Sequence, residues 1–227
     1  MSLRIVIAGA TGLVGRQVVD QLCDRTDVSA VVILGRRPLG KTHPKISDLV
    51  GPPDRWPALL DGSQFDAAIS TLGTTLHDAG SQDAFYAVDH DLLVSFARAA
   101  CGAGTRHFLM VSSVGAHAAS RNFYLATKGK AEASVANIGF DRIDILRPGL
   151  LRGRRTGRLR FGERLAIAIS PVTDFLTPAV LSRYRSIAAA QVAGALCQLA
   201  GQADAGQFIH HNDDMVALAR GGTPPRG

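Results

Sequence analysis

Near the N-terminus, Gly9-Ala10-Thr11-Gly12-Leu13-Val14-Gly15 separates a β-branched apolar run, Leu3 to Ala8, from a stretch, Leu13 to Asp24, whose apolar residues recur at three-and-four spacing. A strand that passes through a glycine-rich bend straight into a helix opens a βαβ unit, and such units build parallel sheets covered by helices. Glycines in that bend permit the tight turn, let the backbone approach an anion and let the helix pack on the strand. The unpaired N–H groups and the helix dipole then face a pyrophosphate. The spacing is G-x-x-G-x-x-G rather than G-x-G-x-x-G. The chain is therefore expected to cradle a dinucleotide with Gly9, Ala10, Thr11, Gly12, Leu13, Val14 and Gly15.

The rest of the chain keeps the same alternation. Further strands are predicted at Ser29 to Leu34, Asp66 to Ser70, His107 to Ser112 and Ile143 to Leu146, with a late one near Gln207 to His210. One-sided helices are predicted at Asp83 to Ala100, Phe123 to Asn137 and Ile187 to Leu199. Gly51-Pro52-Pro53 and Trp56-Pro57 break the segment after the second strand into loop or short helix. From about Pro148 to Ser186 the alternation fails, which suggests a small cap. The expected architecture is a single α/β domain over residues 1–220, a doubly wound, mostly parallel sheet with helices on both faces. Residues 150–186 form the C-terminal cap and 221–227 a frayed tail.

Hydrophobic residues make up 46% of the 227 and charged ones 19%, a globular balance that excludes disorder and a disulfide scaffold. Cys23, Cys101 and Cys197 are far apart with no C-x-x-C pair, so neither disulfides nor a structural zinc is expected, and a reducing cytoplasm fits. No uncharged apolar stretch has spanning length. The His210-His211 and Asp213-Asp214 pairs lack metal-ligand spacing, because adjacent strand residues point to opposite faces. The excess positive charge gathers at Arg147, Arg152, Arg154, Arg155, Arg158, Arg160 and Arg164, opposed in that run only by Glu163. With Phe161 as its one interleaved aromatic, too few to stack successive bases, that run suits a substrate or a solvated cap rather than nucleic acid.

The second strand ends in Gly35-Arg36-Arg37, with no carboxylate to take ribose hydroxyls. Arg36 and Arg37 suit a 2′-phosphate, which favours NADPH over NADH. Tyr124-Leu125-Ala126-Thr127-Lys128 puts a phenol and an ammonium four residues apart on one helix face. A neighbouring cation favours the phenolate form of a phenol, which makes it a usable proton donor and acceptor. The fourth main strand delivers Ser112 and Ser113 at its C-terminal edge, where open α/β sheets bind ligands. Ser113 is the better placed to donate a hydrogen bond to a substrate oxygen, by side-chain alternation.

Together G-A-T-G-L-V-G, S-T-L-G-T-T at Ser70 to Thr75, V-S-S at Val111 to Ser113, Y-L-A-T-K and L-R-P-G at Leu146 to Gly149 resemble the atypical short-chain dehydrogenases. With F-D-R before R-P-G and Y-R-S-I at Tyr184 to Ile187, the order is similar to that of the Tat-interactive-protein-2-like oxidoreductases. The resemblance implies a Rossmann fold holding NADP(H), with NAD(H) second. It assigns Thr71, Leu72, Gly73 and Thr74 to the cofactor wall and Arg147, Pro148 and Gly149 to the floor beneath the nicotinamide, with Ser112, Tyr124 and Lys128 bordering the same cofactor. Ser113, Tyr124 and Lys128 would be the catalytic set of a reductase acting on a small carbonyl compound. Asp89 stands where many extended relatives carry asparagine. Some members of the group resemble regulators, so a cofactor sensor that binds a protein partner through Leu150 to Ser186 is the alternative. A monomer or homodimer is expected. A nucleotide-sugar epimerase is disfavoured by the short chain left after Gly149.

Overall fold

A computed structural model describes residues 2–153 and 185–222. The arginines from Arg154 to Arg164, most of the expected cap and the end of the tail lie outside the described residues.

Seven strands form one parallel sheet in the order β3-β2-β1-β4-β5-β6-β9. These are β1 (Leu3–Ala8), β2 (Val28–Gly35), β3 (Ile46–Val50), β4 (Ala67–Ser70), β5 (His107–Val111), β6 (Arg142–Leu146) and β9 (Gly206–His210). A separate two-stranded ladder pairs β7 (Leu151–Arg152) with β8 (Ile187–Ala188). The chain runs outward from β1 to β2 and β3, then crosses back to β4 and continues the other way. The order therefore reverses between β1 and β4, the position where a doubly wound sheet opens a ligand crevice at its carboxyl edge.

Alternation along the central strands feeds two cores. Ile5 and Ile7 point to a core completed by helices α1 (Leu13–Asp24), α7 (Ala189–Leu199) and α8 (Asn212–Ala219). Val6 and Ala8 point the other way, onto Trp56, Leu60, Phe96 and Ala131. These come from α2 (Trp56–Leu60), α5 (Leu93–Gly102) and α6 (Phe123–Ala136). Both faces are thus buried, as an all-parallel sheet requires.

Three local results differ from the expectations. The run after β2 contains β3, whose Ser47 and Asp48 interrupt the apolar pattern because the strand is an edge with a largely exposed surface. The proline segment agrees with the expected loop or short helix, becoming a 3₁₀ turn (Pro53–Arg55) that leads into α2, anchored by the buried Trp56, whose Nε1 donates to the Gly51 carbonyl at 3.2 Å. The expected long helix at Asp83 to Ala100 is α4 (Gln82–Tyr86), a π-helical turn (Ala87–Leu92) and α5 in succession. Finally, Ile187 pairs with Leu151 in β7–β8 rather than starting α7. After the short α3 (Leu76–Ala79), Ser81 opens α4 by accepting from Ala84 N at 3.1 Å, and Asn122 caps α6 through Leu125 N at 3.1 Å.

Candidate functional site

The glycine bend sits at the reversal point. Ala8 is in register with Leu34 on one side and Ser70 on the other, so the chain leaves the sheet as Gly9 between Gly35 and Thr71. Gly9 has φ +90°, and a Cβ there would lie 2.6 Å from the Thr71 carbonyl carbon. At Gly15 a Cβ would lie 2.3 Å from the Gly9 oxygen and 2.8 Å from Ala10 Cα. Both positions exclude any side chain, the first by conformation and contact, the second by contact alone. Thr71 closes the crossover, its amide and hydroxyl reaching the Ala8 carbonyl at 2.9 and 3.2 Å.

The start of α1 fits an anionic group. Its N-cap is Gly12, with no side-chain cap and no acidic residue in the first turn. The first amides of a helix have no intrahelical acceptor, and among the described residues no side chain caps them, so they are open to an anionic group. A dinucleotide diphosphate fits the tight Gly9 and Gly15 contacts and this uncapped helix start. Gly15→Ala has to push the Gly9–Ala10 backbone aside, so dinucleotide affinity in a fluorescence titration is expected to fall by at least about a hundredfold. Wild-type affinity in that variant would show that the bend tolerates a methyl and has no fixed shape.

Beside the bend, Arg36 and Arg37 are exposed at the end of β2, with no side-chain partner among the described residues. On the other side, the segment after β4 borders both the bend and α6. Thr71 touches Gly9, while a Cβ on Gly73 would come within 3.5 Å of Lys128 Nζ. Lys128 is buried and its ammonium pairs with Asp89 Oδ1 at 2.7 Å. Asp89 Oδ2 accepts from the Thr74 amide at 2.8 Å. Tyr124, one turn before Lys128, is half-buried with its ring 5.4 Å from that of Phe85. Helix α6 is held close by Gly129, where a Cβ would lie 2.3 Å from the backbone at His117 and Ala118.

The two serines part company. Ser112 is buried and its hydroxyl donates to Glu132 Oε1. Arg147 grips the same carboxylate, with Nε to Oε1 at 3.0 Å and a terminal nitrogen to Oε2 at 2.5 Å. The side chains of Ser112 and Arg147 are thus engaged with Glu132, tying the ends of β5 and β6 to α6. Ser113 is half-buried, its hydroxyl 3.3 Å from the Val114 carbonyl. The following loop is fixed by Val114 N on Pro148 O at 3.0 Å and Gly149 N on Asn212 Oδ1 at 3.0 Å.

Glu132 escaped the sequence reading. Its signal was only its position one turn past Lys128, and a carboxylate in a helix is more often solvated. His210 joins a buried cluster with Asp144, and Asp214 accepts from His211 N at 2.8 Å at the start of α8, which gives these residues of the His-Asp run structural partners.

Comparison with known proteins adds to this geometry. Residues 9–200 match the family described as NAD(P)H-binding. The mitochondrial protein FMP52 of Coccidioides immitis is 36% identical over 94% of this chain and 95% of its own length. FMP52-1 of Scheffersomyces stipitis, also named mitochondrial, is 37% identical over 66% of this chain and 67% of its own. Among solved structures, MoeE5 in complex with UDP-glucuronic acid and NAD superposes with a TM-score of 0.68 at 17% identity, covering 97% of this chain and 83% of that one. The Bordetella bronchiseptica enzyme WbmG in complex with NAD gives 0.67 at 15%, covering 93% and 73%. At such identities these two likenesses speak for the fold alone. The cytoplasmic location expected from cysteine usage is overturned by the relatives' mitochondrial names. Three free cysteines, with Cys23 and Cys197 buried, carry no address. No helix among the described residues is long and apolar enough to cross a membrane.

Proposed function

Because the chain belongs to the NAD(P)H-binding family and its motifs fit the atypical short-chain dehydrogenases, we propose that it is an NADPH-dependent reductase of a small carbonyl compound. The observation that carries this reading is the four-residue wall from Thr71 to Thr74. It lies against the glycine bend at one end and beside the Lys128–Asp89 pair at the other, so a nucleotide on the bend extends toward the Tyr124–Lys128 face.

A bound reduced nicotinamide supplies the hydride for such a reaction. The chain supplies the rest. Tyr124 Oη gives a proton to the carbonyl oxygen, and Ser113 Oγ donates a hydrogen bond to that oxygen as charge develops on it. Lys128 Nζ orients a ribose hydroxyl. Ser112 is occupied by Glu132, which leaves Ser113 for the substrate. Arg147 acts through its ion pair with Glu132, holding Pro148 and Gly149 in place as the floor.

The relatives' names state no reaction, so turnover is the test. NADPH oxidation measured against a panel of aldehydes, ketones and quinones should reveal a substrate. A folded, NADPH-binding protein that turns over none of them contradicts the reductase and favours a sensor.

Arg36 and Arg37 are proposed to grip the 2′-phosphate. In Arg36→Ala/Arg37→Ala, NADPH affinity should fall by about ten- to a hundredfold, the worth of one or two charge-assisted hydrogen bonds, with NADH affinity unchanged. Equal wild-type affinities for the two nucleotides would remove the phosphate assignment.

A further inference from the structure

Asp89 is the most completely buried charged group at the candidate site, and its two oxygens serve two different elements. Oδ1 lies 2.7 Å from Lys128 Nζ on α6, and Oδ2 accepts from the Thr74 amide at 2.8 Å in the segment after β4. Both side chains of the pair are almost wholly buried, with 6% of Lys128 and none of Asp89 exposed. Gly73 fits over the pair without a side chain, since a Cβ there would lie 3.3 Å from Asp89 Oδ1 and 3.5 Å from Lys128 Nζ.

The backbone that carries Asp89 is itself unusual. It falls in the π-helical turn Ala87–Leu92, whose wider winding shifts the following side chains relative to a regular helix. In the same turn His90 Nε2 meets Ser134 Oγ at 3.0 Å, so the turn is stitched to α6 at two points. Such turns break the regular ladder and recur at functional positions.

Any neutral acceptor could take the Thr74 N–H. Only a carboxylate also compensates a buried ammonium, and a buried ion pair is seldom a better source of stability than apolar packing. The pair's place, between the glycine-bend wall and the Tyr124 helix, is therefore its informative feature.

We infer that Asp89 is a positioning residue: its carboxylate clamps the Lys128 ammonium to the Thr74 amide, so that lysine and loop form one preset wall for the nucleotide. This rests on the nucleotide site proposed above. Asp89 acts through Lys128 and does not itself touch the ligand. The free protein therefore holds Lys128 in place before binding, and less order is lost when the nucleotide arrives.

The test is a double-mutant cycle on NADPH affinity, read by fluorescence titration and independent of turnover. Asp89→Asn keeps the shape and an acceptor for Thr74 but releases the ammonium. Binding should weaken about tenfold or more, the worth of one charge-assisted hydrogen bond. Lys128→Met should weaken it comparably. In the Lys128→Met background, Asp89→Asn should cause no further loss, because the group it positions is gone.

A purely structural role would not give this masking. Wild-type affinity in Asp89→Asn overturns the inference, as does an added loss in the double variant over Lys128→Met. If Asp89→Asn alone does not fold, because it strands a buried ammonium, the double variant lacks both charges and still decides. Affinity no worse than Lys128→Met supports the inference, and weaker affinity overturns it. Failure of the wild type to bind NADPH overturns the site itself, and is thereby distinguished from failure of the clamp alone.

Discussion

Tyr124→Phe is expected to lower the rate of carbonyl reduction by about 10²- to 10⁴-fold while leaving NADPH affinity within about a factor of two of wild type. The phenol is proposed as the proton donor, and its loss removes a contribution made in the transition state rather than in nucleotide binding. The ring itself packs 5.4 Å from Phe85, a contact that phenylalanine retains, so the fold should be undisturbed and a lost rate cannot be assigned to unfolding. Turnover by the NADPH oxidation assay and affinity by titration, on the same preparation, give the two readouts. Undiminished turnover in Tyr124→Phe would remove Tyr124 as the acid and leave a sensor or a different donor to be found.

The second large effect concerns stability. Asp144 lies fully buried in β6 and accepts from His107 Nε2 at 2.7 Å, His210 Nε2 at 2.7 Å, and Arg142 at 2.6 and 3.1 Å. Arg142 also stands 4.2 Å over the Phe208 ring and donates to the Asp204 carbonyl at 2.8 Å. One carboxylate thus joins β5, β6 and β9 at the late edge of the sheet. Burial opposes its ionisation, but the hydrogen bonds from His107, His210 and Arg142 outweigh that and hold the carboxyl well below the usual range.

Asp144→Asn leaves the Arg142 guanidinium buried without its counter-ion, a change that costs about 3–5 kcal/mol in comparable sites. Thermal unfolding should fall by about 10 °C for a chain of this size. The pH dependence has a definite sign. A carboxyl whose folded pKa lies below its unfolded value of about 3.9 stabilises the protein above that pH, and the contribution is lost as pH falls toward the folded value. The gap between wild type and Asp144→Asn should therefore be full at neutral pH and narrow below about pH 4. A melting difference of less than about 2 °C at pH 7 would mean that the cluster is not holding the strands together.

The parallel sheet, the glycine bend and the bounds of α1 were legible because their residues obey strong local periodicities, and the bend follows a strand without interruption. What stayed hidden depends on tertiary partners. β3 offers only Ile46, Leu49 and Val50 as apolar residues, since an edge strand needs no double-sided apolar run. The π turn is invisible to spacing because one inserted position slips the helical register by design of the fold rather than by residue type. Asp89 drew notice for its position, yet its pairing with Lys128 follows from how that turn meets α6. Ser112 and Glu132, and Arg147 and Glu132, are brought together only by the sheet edge on which β5, α6 and β6 converge. The adjacent serines differ in surroundings, Ser112 being buried on Glu132 and Ser113 half-buried.

The nucleotide site is tested most directly by titrating the folded wild-type protein with NADPH and NADH and following nucleotide fluorescence. Saturable binding is expected for both, tighter for NADPH. A well-folded sample that binds neither would contradict the reductase, the clamp at Asp89 and the sensor alike.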